Sequence, residues 1–258
     1  RELAMFAWAF GTIAMKDGHL WEAIAAESRS RLSRGDTLTT QDISVIAWSF
    51  AKVLIQDGPL RDAISAAAMS RCTEMDSRDL VGFAWSYAQL QCWDLPLMNA
   101  ISEESINKIG SFGAQNLSST AWAMAACSFD HAPLRNAIAA AALLRIADFR
   151  SHDLSITAWS FAKLIVCDAP LLEAIAAEAM PKLAEFEALH VANTAWAFSK
   201  LGIADVPLFA AISAPSINTI HEAGPQHLAT IVRAFASLVI YDKTLLSVIS
   251  WWSVSIMQ

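Results

Sequence analysis

Apolar and polar positions recur along this chain in a fixed order. An Ala-Trp pair marks each turn of the pattern, at Trp8, Trp48, Trp85, Trp122, Trp159 and Trp196. The steps between them are 40 residues once and then 37 four times. A further step of 37 reaches Arg233 inside "RAFASL", a degenerate seventh copy that keeps the frame. Counting each Trp (or Arg233) as position 0, a Leu, Ile or Val stands at −5, from Leu3 and Ile43 to Leu228. A large apolar residue stands at +2 (Phe10, Phe50, Tyr87, Met124, Phe161, Phe198, Phe235), and Ile stands at +16 from Ile24 to Ile249. Internal repetition of this kind is the signature of stacked repeat architectures.

Each unit reads as two helices. The first is predicted to start at a capping residue at −6 (Asp42, Asp79, Asn116, Asp153) and to run through "AWSFAKL". Short polar side chains suit an N-cap because they accept the unpaired N–H bonds of the first turn. An Asp at +9 and a Pro at +11 then announce the second helix, as in Asp57/Pro59 and Asp168/Pro170. Proline in the first turn gives up no hydrogen bond. The second helix carries an apolar stripe at spacings of three and four, as at Leu171, Ala174, Ile175, Ala179 and Leu183. A loop often holding a Phe (Phe112, Phe149, Phe186) leads to the next unit.

A helix pair this small cannot enclose its own apolar face, so neighbours must stack. The prediction is an all-α, right-handed α-solenoid of about seven repeats, a single domain over 1–258. The repeats fall at about 2–41, 42–78, 79–115, 116–152, 153–189, 190–226 and 227–258. The Trp residues are expected to be its main packing side chains. Base-stacking platforms or a cofactor box are the other reading of such a row.

Composition sharpens this picture. The chain of 258 residues is 55% hydrophobic with a mean hydropathy of +0.39, which raises the question of a membrane. However, its most apolar region, Ile156 to Met180, is interrupted by Lys163, Asp168 and Glu173, so no spanning helix or membrane insertion is expected. Four cysteines (Cys72, Cys92, Cys127, Cys167) form no C-x-x-C pair and read as buried free thiols, with no metal site. No P-loop, GxGxxG, GxSxG or HExxH occurs, the six His are scattered, and His190 and His227 fall at the predicted cap position. The reading is a binding scaffold, with no catalytic residues and no cofactor. A formal charge of −7 gives no general attraction to nucleic acid or anionic membrane. The chain starts at Arg1 in mid-pattern and is read as a fragment or processed form without its targeting segment.

The "AW-A/S-F-A-K-L" core followed by "D-x-PL-x-x-AI", as in "NTAWAFSKLGIADVPLF" from Asn193 to Phe209, resembles the octotricopeptide repeat and related W-A-F-A repeats. Such repeats are abundant in organelle-targeted proteins of green algae, dinoflagellates and apicomplexans, and the resemblance covers nearly the whole chain. It implies RNA binding in the maturation, stability or translation of organellar transcripts, with a mitochondrial or chloroplast location and no DNA partner.

On a helical wheel of about 100° per residue, −3 and +4 of the first helix fall together, opposite the constant positions and beside the small residue at +1. They vary between copies: Met5/Thr12, Val45/Lys52, Gly82/Gln89, Ser119/Ala126, Ile156/Lys163, Asn193/Lys200 and Thr230/Ser237. A modular reader of single-stranded RNA needs such variable side chains aligned on one surface. Gln89, Ser119, Asn193 and Thr230 are the candidates for base edges, and Lys52, Lys163, Lys200 and Arg233 for phosphates. The same variation is expected of any solvated helix face, and the residues alone leave both readings open. The alternative function is a structural subunit that docks proteins in a larger organellar assembly, through Trp251 and Trp252 at the end of the last copy.

Overall fold

A computed structural model describes residues 1–35, 38–92, 94–218, 224–245 and 247, with 214–218 described by their backbone alone. Among the described residues the chain forms α-helices and short 3-10 turns, with no strand. First helices of the repeats are α1 (Glu2–Thr12), α3 (Thr40–Val53), α5 (Ser77–Gln89), α7 (Ala114–Ala126), α9 (Ser151–Lys163), α11 (Ala188–Lys200) and α13 (Pro225–Ser237). Second helices are α2 (Gly18–Arg34), α4 (Gly58–Ser70), α6 (Leu95–Asn107), α8 (Ala132–Leu144), α10 (Ala169–Lys182) and α12 (Val206–Asn218).

Two compact units result, the first Arg1–Phe112 with Ala126–Ala137, the second Gly113–Ala125 with the described residues from Ile138 onward. In the first unit α1 packs on α3 and α3 on α5, while α2 packs on α4 and α4 on α6. In the second, α9 packs on α11 and α11 on α13, while α10 packs on α12. First helices against first helices and second against second is the arrangement of an α-solenoid.

The constant positions explain the stacking. Ile43, Leu80, Leu154 and Val191 at −5 and Phe50, Tyr87, Phe161 and Phe198 at +2 are each at most 3% exposed. The position at +1 is fully enclosed in Ser49, Ser86, Ala123, Ser160 and Ala197, all 0% exposed. Small residues there let the adjacent first helix approach closely. A Cβ added to Gly11 of α1 would lie 3.2 Å from the Cα of Ser49 in α3.

Helix ends follow one recipe. Asp17, Asp57, Asp94, Asp168 and Asp205 cap the second helices as predicted, each carboxylate accepting the N–H of the Leu three residues on. Each first helix closes with the residue at +6 in the left-handed region: Ala14, Leu54, Gln91, Ser128, Ile165, Gly202 and Val239 have φ from 52° to 71°. The next N–H then reaches back to the +2 carbonyl, as in Val166 N–H to Phe161 O at 2.9 Å, which is the Schellman closure.

The predicted start of the first helices needs correction. The N-caps are Thr39, Asp76, Arg150 and Glu187, three residues earlier than expected. Asp42, Asp153 and His190 stand instead at the third helical position and turn back on the cap: Asp42 Oδ2 accepts from Thr39 N–H at 3.0 Å and His190 Nδ1 accepts from Glu187 N–H at 3.3 Å. Thr39 and Asp42 form a capping box with an acceptor at each position, whereas Arg150 has no acceptor and Asp153 alone presents the chemistry of a cap, and that is why the sequence pattern misled. Asp79 and Asp153 also tie repeats together, accepting from Thr40 Oγ1 at 2.8 Å and Ser118 Oγ at 3.0 Å.

A second correction concerns the thiols. Cys72, Cys92 and Cys127 are buried free thiols, whereas Cys167 is exposed. No helix among the described residues is long and apolar enough to cross a membrane.

Candidate nucleic-acid interface

In each unit the first helices leave a narrow strip open. Along α3 and α5 of the first unit the strip runs at −7, −3, 0 and +4: Gln41, Val45, Trp48 and Lys52, then Arg78, Gly82, Trp85 and Gln89. In the second unit the same positions on α9 and α11 are His152, Ile156, Trp159 and Lys163, then Leu189, Asn193, Trp196 and Lys200. All are exposed or half-buried, while the −5, −1, +1 and +2 positions of the same four helices are buried. Spacings of four, three and four residues keep the strip on one side of each helix.

The tryptophans therefore stand elsewhere than expected. Trp48, Trp85, Trp122, Trp159 and Trp196 are half-buried, and Trp8 is 52% exposed. Among the described residues the enclosed indole is Trp21 of α2, 1% exposed, with Nε1–H donating to Met15 O at 2.7 Å and its ring edge-on to Phe50. On the wheel the −3/+4 positions lie equally far from 0 and from +1, and the sequence alone took the +1 side as open. Packing decides it the other way. The small +1 residue is where the neighbouring helix closes in, and the indole overhangs the seam.

Neighbouring indoles meet along that seam. Trp48 and Trp85 have ring centroids 6.2 Å apart at 30° between planes in the first unit. Trp159 and Trp196 repeat this in the second, at 6.2 Å and 34°. These values fall in the range of offset aromatic pairs. Lys52 Nζ sits 5.9 Å from the Trp48 ring centroid, within cation–π reach.

The strip's charge is opposite in sign to that of the chain. Counted with the same positions of α7 (Gln115, Ser119, Trp122, Ala126) and α13 (Gln226, Thr230, Arg233, Ser237), these positions hold Lys52, Arg78, Lys163, Lys200 and Arg233 but no acidic residue. The chain has 25 acidic residues and a formal charge of −7, so this exclusion is informative. Arg78 is paired with Asp76 at 3.1 Å, both exposed. Three further carboxylates beside these helices, Asp42, Asp79 and Asp153, are buried at 7%, 6% and 0% exposure and are hydrogen-bonded within the fold. Burial raises the Asp79 pKa, with the Thr40 hydroxyl opposing.

Of the candidates read from sequence, Lys52, Lys163, Lys200 and Arg233 are exposed, and Gln89, Ser119, Asn193 and Thr230 are half-buried. They are laid out one or two per helix rather than gathered in a pocket. Trp251 and Trp252 lie outside the described residues. The −7 position was missed, although it lies one turn before −3 on the same face. A shallow cleft of about 260 Å³ runs along the strip in the first unit, between Trp8, Trp48, Arg78 and Gly82, with Asp76 and Asp79 also in its lining. A larger groove of about 770 Å³ opens instead beside Leu38, Ala63 and Ala67, where Arg71 is held by Leu38 O at 2.6 Å. Its Ala-rich lining offers little chemistry.

Two other lysines are committed to the scaffold. Lys108 Nζ donates to Thr73 O and Met75 O at 2.7 and 2.6 Å, and Lys182 Nζ donates to Ala147 O and Phe149 O at 2.9 and 2.8 Å. Both stand at +23 and clamp the preceding repeat's loop to the second helix. Sequence reasoning passed over this position, though Arg71, Lys108, Arg145 and Lys182 fill it in four successive copies.

Residues 104–258 match the family model of the RNA-editing substrate-binding complex 6 protein. No curated protein matches the chain.

Proposed function

The chain belongs to the RNA-editing substrate-binding complex 6 family, and from that membership we propose that it is a non-catalytic RNA-binding subunit. It holds single-stranded transcripts along its first-helix strip while they are processed. One observation carries this reading: an acidic chain places no acid at the −7, −3, 0 and +4 positions of these first helices and carries indoles, amides and cations there instead. That combination suits RNA, whose phosphates need cations and whose unpaired bases need stacking and hydrogen-bonding partners. The repeats are of the octotricopeptide type on their W-A-F-A cores, and the role belongs in the mitochondrion rather than the chloroplast. Protein partners are part of the proposal, because the family is described as belonging to a complex. Met5 and Phe6 of α1 and Ile13 just after it, exposed at 63%, 60% and 68%, offer apolar surface for such contacts.

Fluorescence anisotropy of short labelled RNAs with the full chain tests this reading. Binding at low salt is expected to weaken steeply as salt rises, because each neutralised phosphate releases a counterion. The Lys52→Glu/Lys163→Glu/Lys200→Glu variant is expected to bind at least about tenfold more weakly. An unchanged affinity in that variant, or no binding to any RNA at low salt, contradicts it.

A further inference from the structure

Resting on the RNA-binding reading, we infer that the paired indoles Trp48–Trp85 and Trp159–Trp196 are the base-stacking platform of the strip, each rung taking the face of an unpaired nucleobase.

Three features of the geometry lead there. First, these indoles are half-buried and centred in the open strip, while the neighbouring +1 and +2 side chains are enclosed. Indoles serving only as filler would belong at those enclosed positions, where Ser or Ala and Phe or Tyr already serve. Second, the pair geometry is the same in both units, 6.2 Å with 30° and 6.2 Å with 34°, although the residues around it differ. The repeat therefore fixes the ring step, while −3 and +4 change beside it. Third, cations lie one helical turn beyond the rings, at Lys52, Lys163 and Lys200, where a backbone following the row of bases would place its phosphates.

The ring step also selects the ligand. Successive bases within one strand of a duplex rise about 3.4 Å, so a ring step of 6.2 Å is nearly twice the stacked spacing. A strand meeting one indole per repeat must be drawn out, with its own stacking broken. Duplex RNA cannot do this without melting. Stacking on an aromatic face is tolerant of base identity, so the indoles supply affinity and the variable −3/+4 side chains supply any preference. Each pair holds two bases.

The test uses the full chain and two oligonucleotides of equal length and charge, one of ordinary RNA and one abasic throughout. Wild-type protein is expected to bind the ordinary strand at least about tenfold more tightly, equivalent to about 1.4 kcal/mol, and only that strand should quench indole fluorescence. In Trp48→Leu/Trp85→Leu and Trp159→Leu/Trp196→Leu, which keep bulk but lose the ring face, the preference should shrink. Trp→Phe variants keep a face and should retain most of it, which covers the case of a Leu variant that fails to fold. Equal affinity of wild-type protein for both strands, or full preference in folded Leu variants, overturns the inference while leaving phosphate-driven RNA binding intact. Quenching by a co-purified protein and not by RNA also overturns it and makes the ladder a protein-docking face. Binding of neither strand removes the RNA-binding reading itself.

Discussion

The ring of Trp159 lies 6.2 Å from that of Trp196, centroid to centroid, across the seam between α9 and α11. Two residues 37 apart in sequence thus become direct neighbours, because one repeat stacks on the next in register. Offset aromatic pairs contribute about 0.5–1.5 kcal/mol beyond their area burial. A double-mutant cycle with Trp159→Leu and Trp196→Leu should return a coupling in that range by chemical denaturation. Additive losses would mean that the rings sit side by side without interacting.

Lys182 should matter to stability and not to RNA. Its ammonium donates to Ala147 O and Phe149 O and pairs with Glu178 at 2.7 Å while only partly exposed. Hydrogen bonds from charged groups are worth about 1.5–3 kcal/mol each, discounted here for solvent access. Lys182→Met is therefore expected to destabilise by about 1–3 kcal/mol in urea melts, with RNA affinity unchanged. A loss of affinity at full stability would show that this lysine faces the ligand.

Ile165 is expected to gain from replacement by glycine. It holds φ at 59° with its side chain 73% exposed, so a β-branched residue occupies a left-handed position and buries little. The left-handed conformation costs an L-residue about 1–2 kcal/mol, against about 0.4–1 kcal/mol for the greater unfolded-state freedom of glycine. Ile165→Gly should raise the urea midpoint modestly; Gly202 stands at the same place in the next repeat, with φ at 71°. A lowered midpoint would mean that Ile165 makes contacts that outweigh its backbone strain.

Acid should loosen the second unit through His190. This imidazole is buried at 8% exposure, and Nδ1 accepts the Glu187 N–H, so the neutral ring carries its proton on Nε2. Burial lowers its pKa, with Glu187 opposing and His152 adding to the shift. The unfolded state then binds the proton more readily than the folded state as pH falls below about 6.5. The stabilising contribution is complete above that pH and is lost as pH falls toward the lowered folded value. Thermal melts from pH 7.5 to 5 should show a steeper decline for wild type than for His190→Asn. Parallel declines would place the acid sensitivity elsewhere.

The repeat, the two-helix unit and the Asp caps of the second helices could be read from sequence, because each recurs at a fixed position. The starts of the first helices were displaced by three residues, since Asp42 and Asp153 present the chemistry of a cap from inside the helix. The left-handed residues at +6 were not visible, as only Gly202 among the seven has the residue type that signals that conformation. The variable face was found through Lys52, Asn193 and Lys200, but its centre was misjudged. Periodicity places Trp and the small +1 residue symmetrically about that face. Only the close approach of adjacent helices, felt at Gly11 and Ser49, tells which of the two is covered.

The most direct test is to map where RNA touches the folded chain. Ultraviolet crosslinking of the full-length protein to a single-stranded RNA, followed by peptide mass spectrometry, reports the contact residues. Binding along the strip predicts adducts on peptides from α3, α5, α9 and α11, concentrated at Trp48, Trp85, Trp159 and Trp196 and their neighbouring lysines. Adducts confined to the second helices α4, α6, α10 and α12, or none on a folded protein, would contradict it.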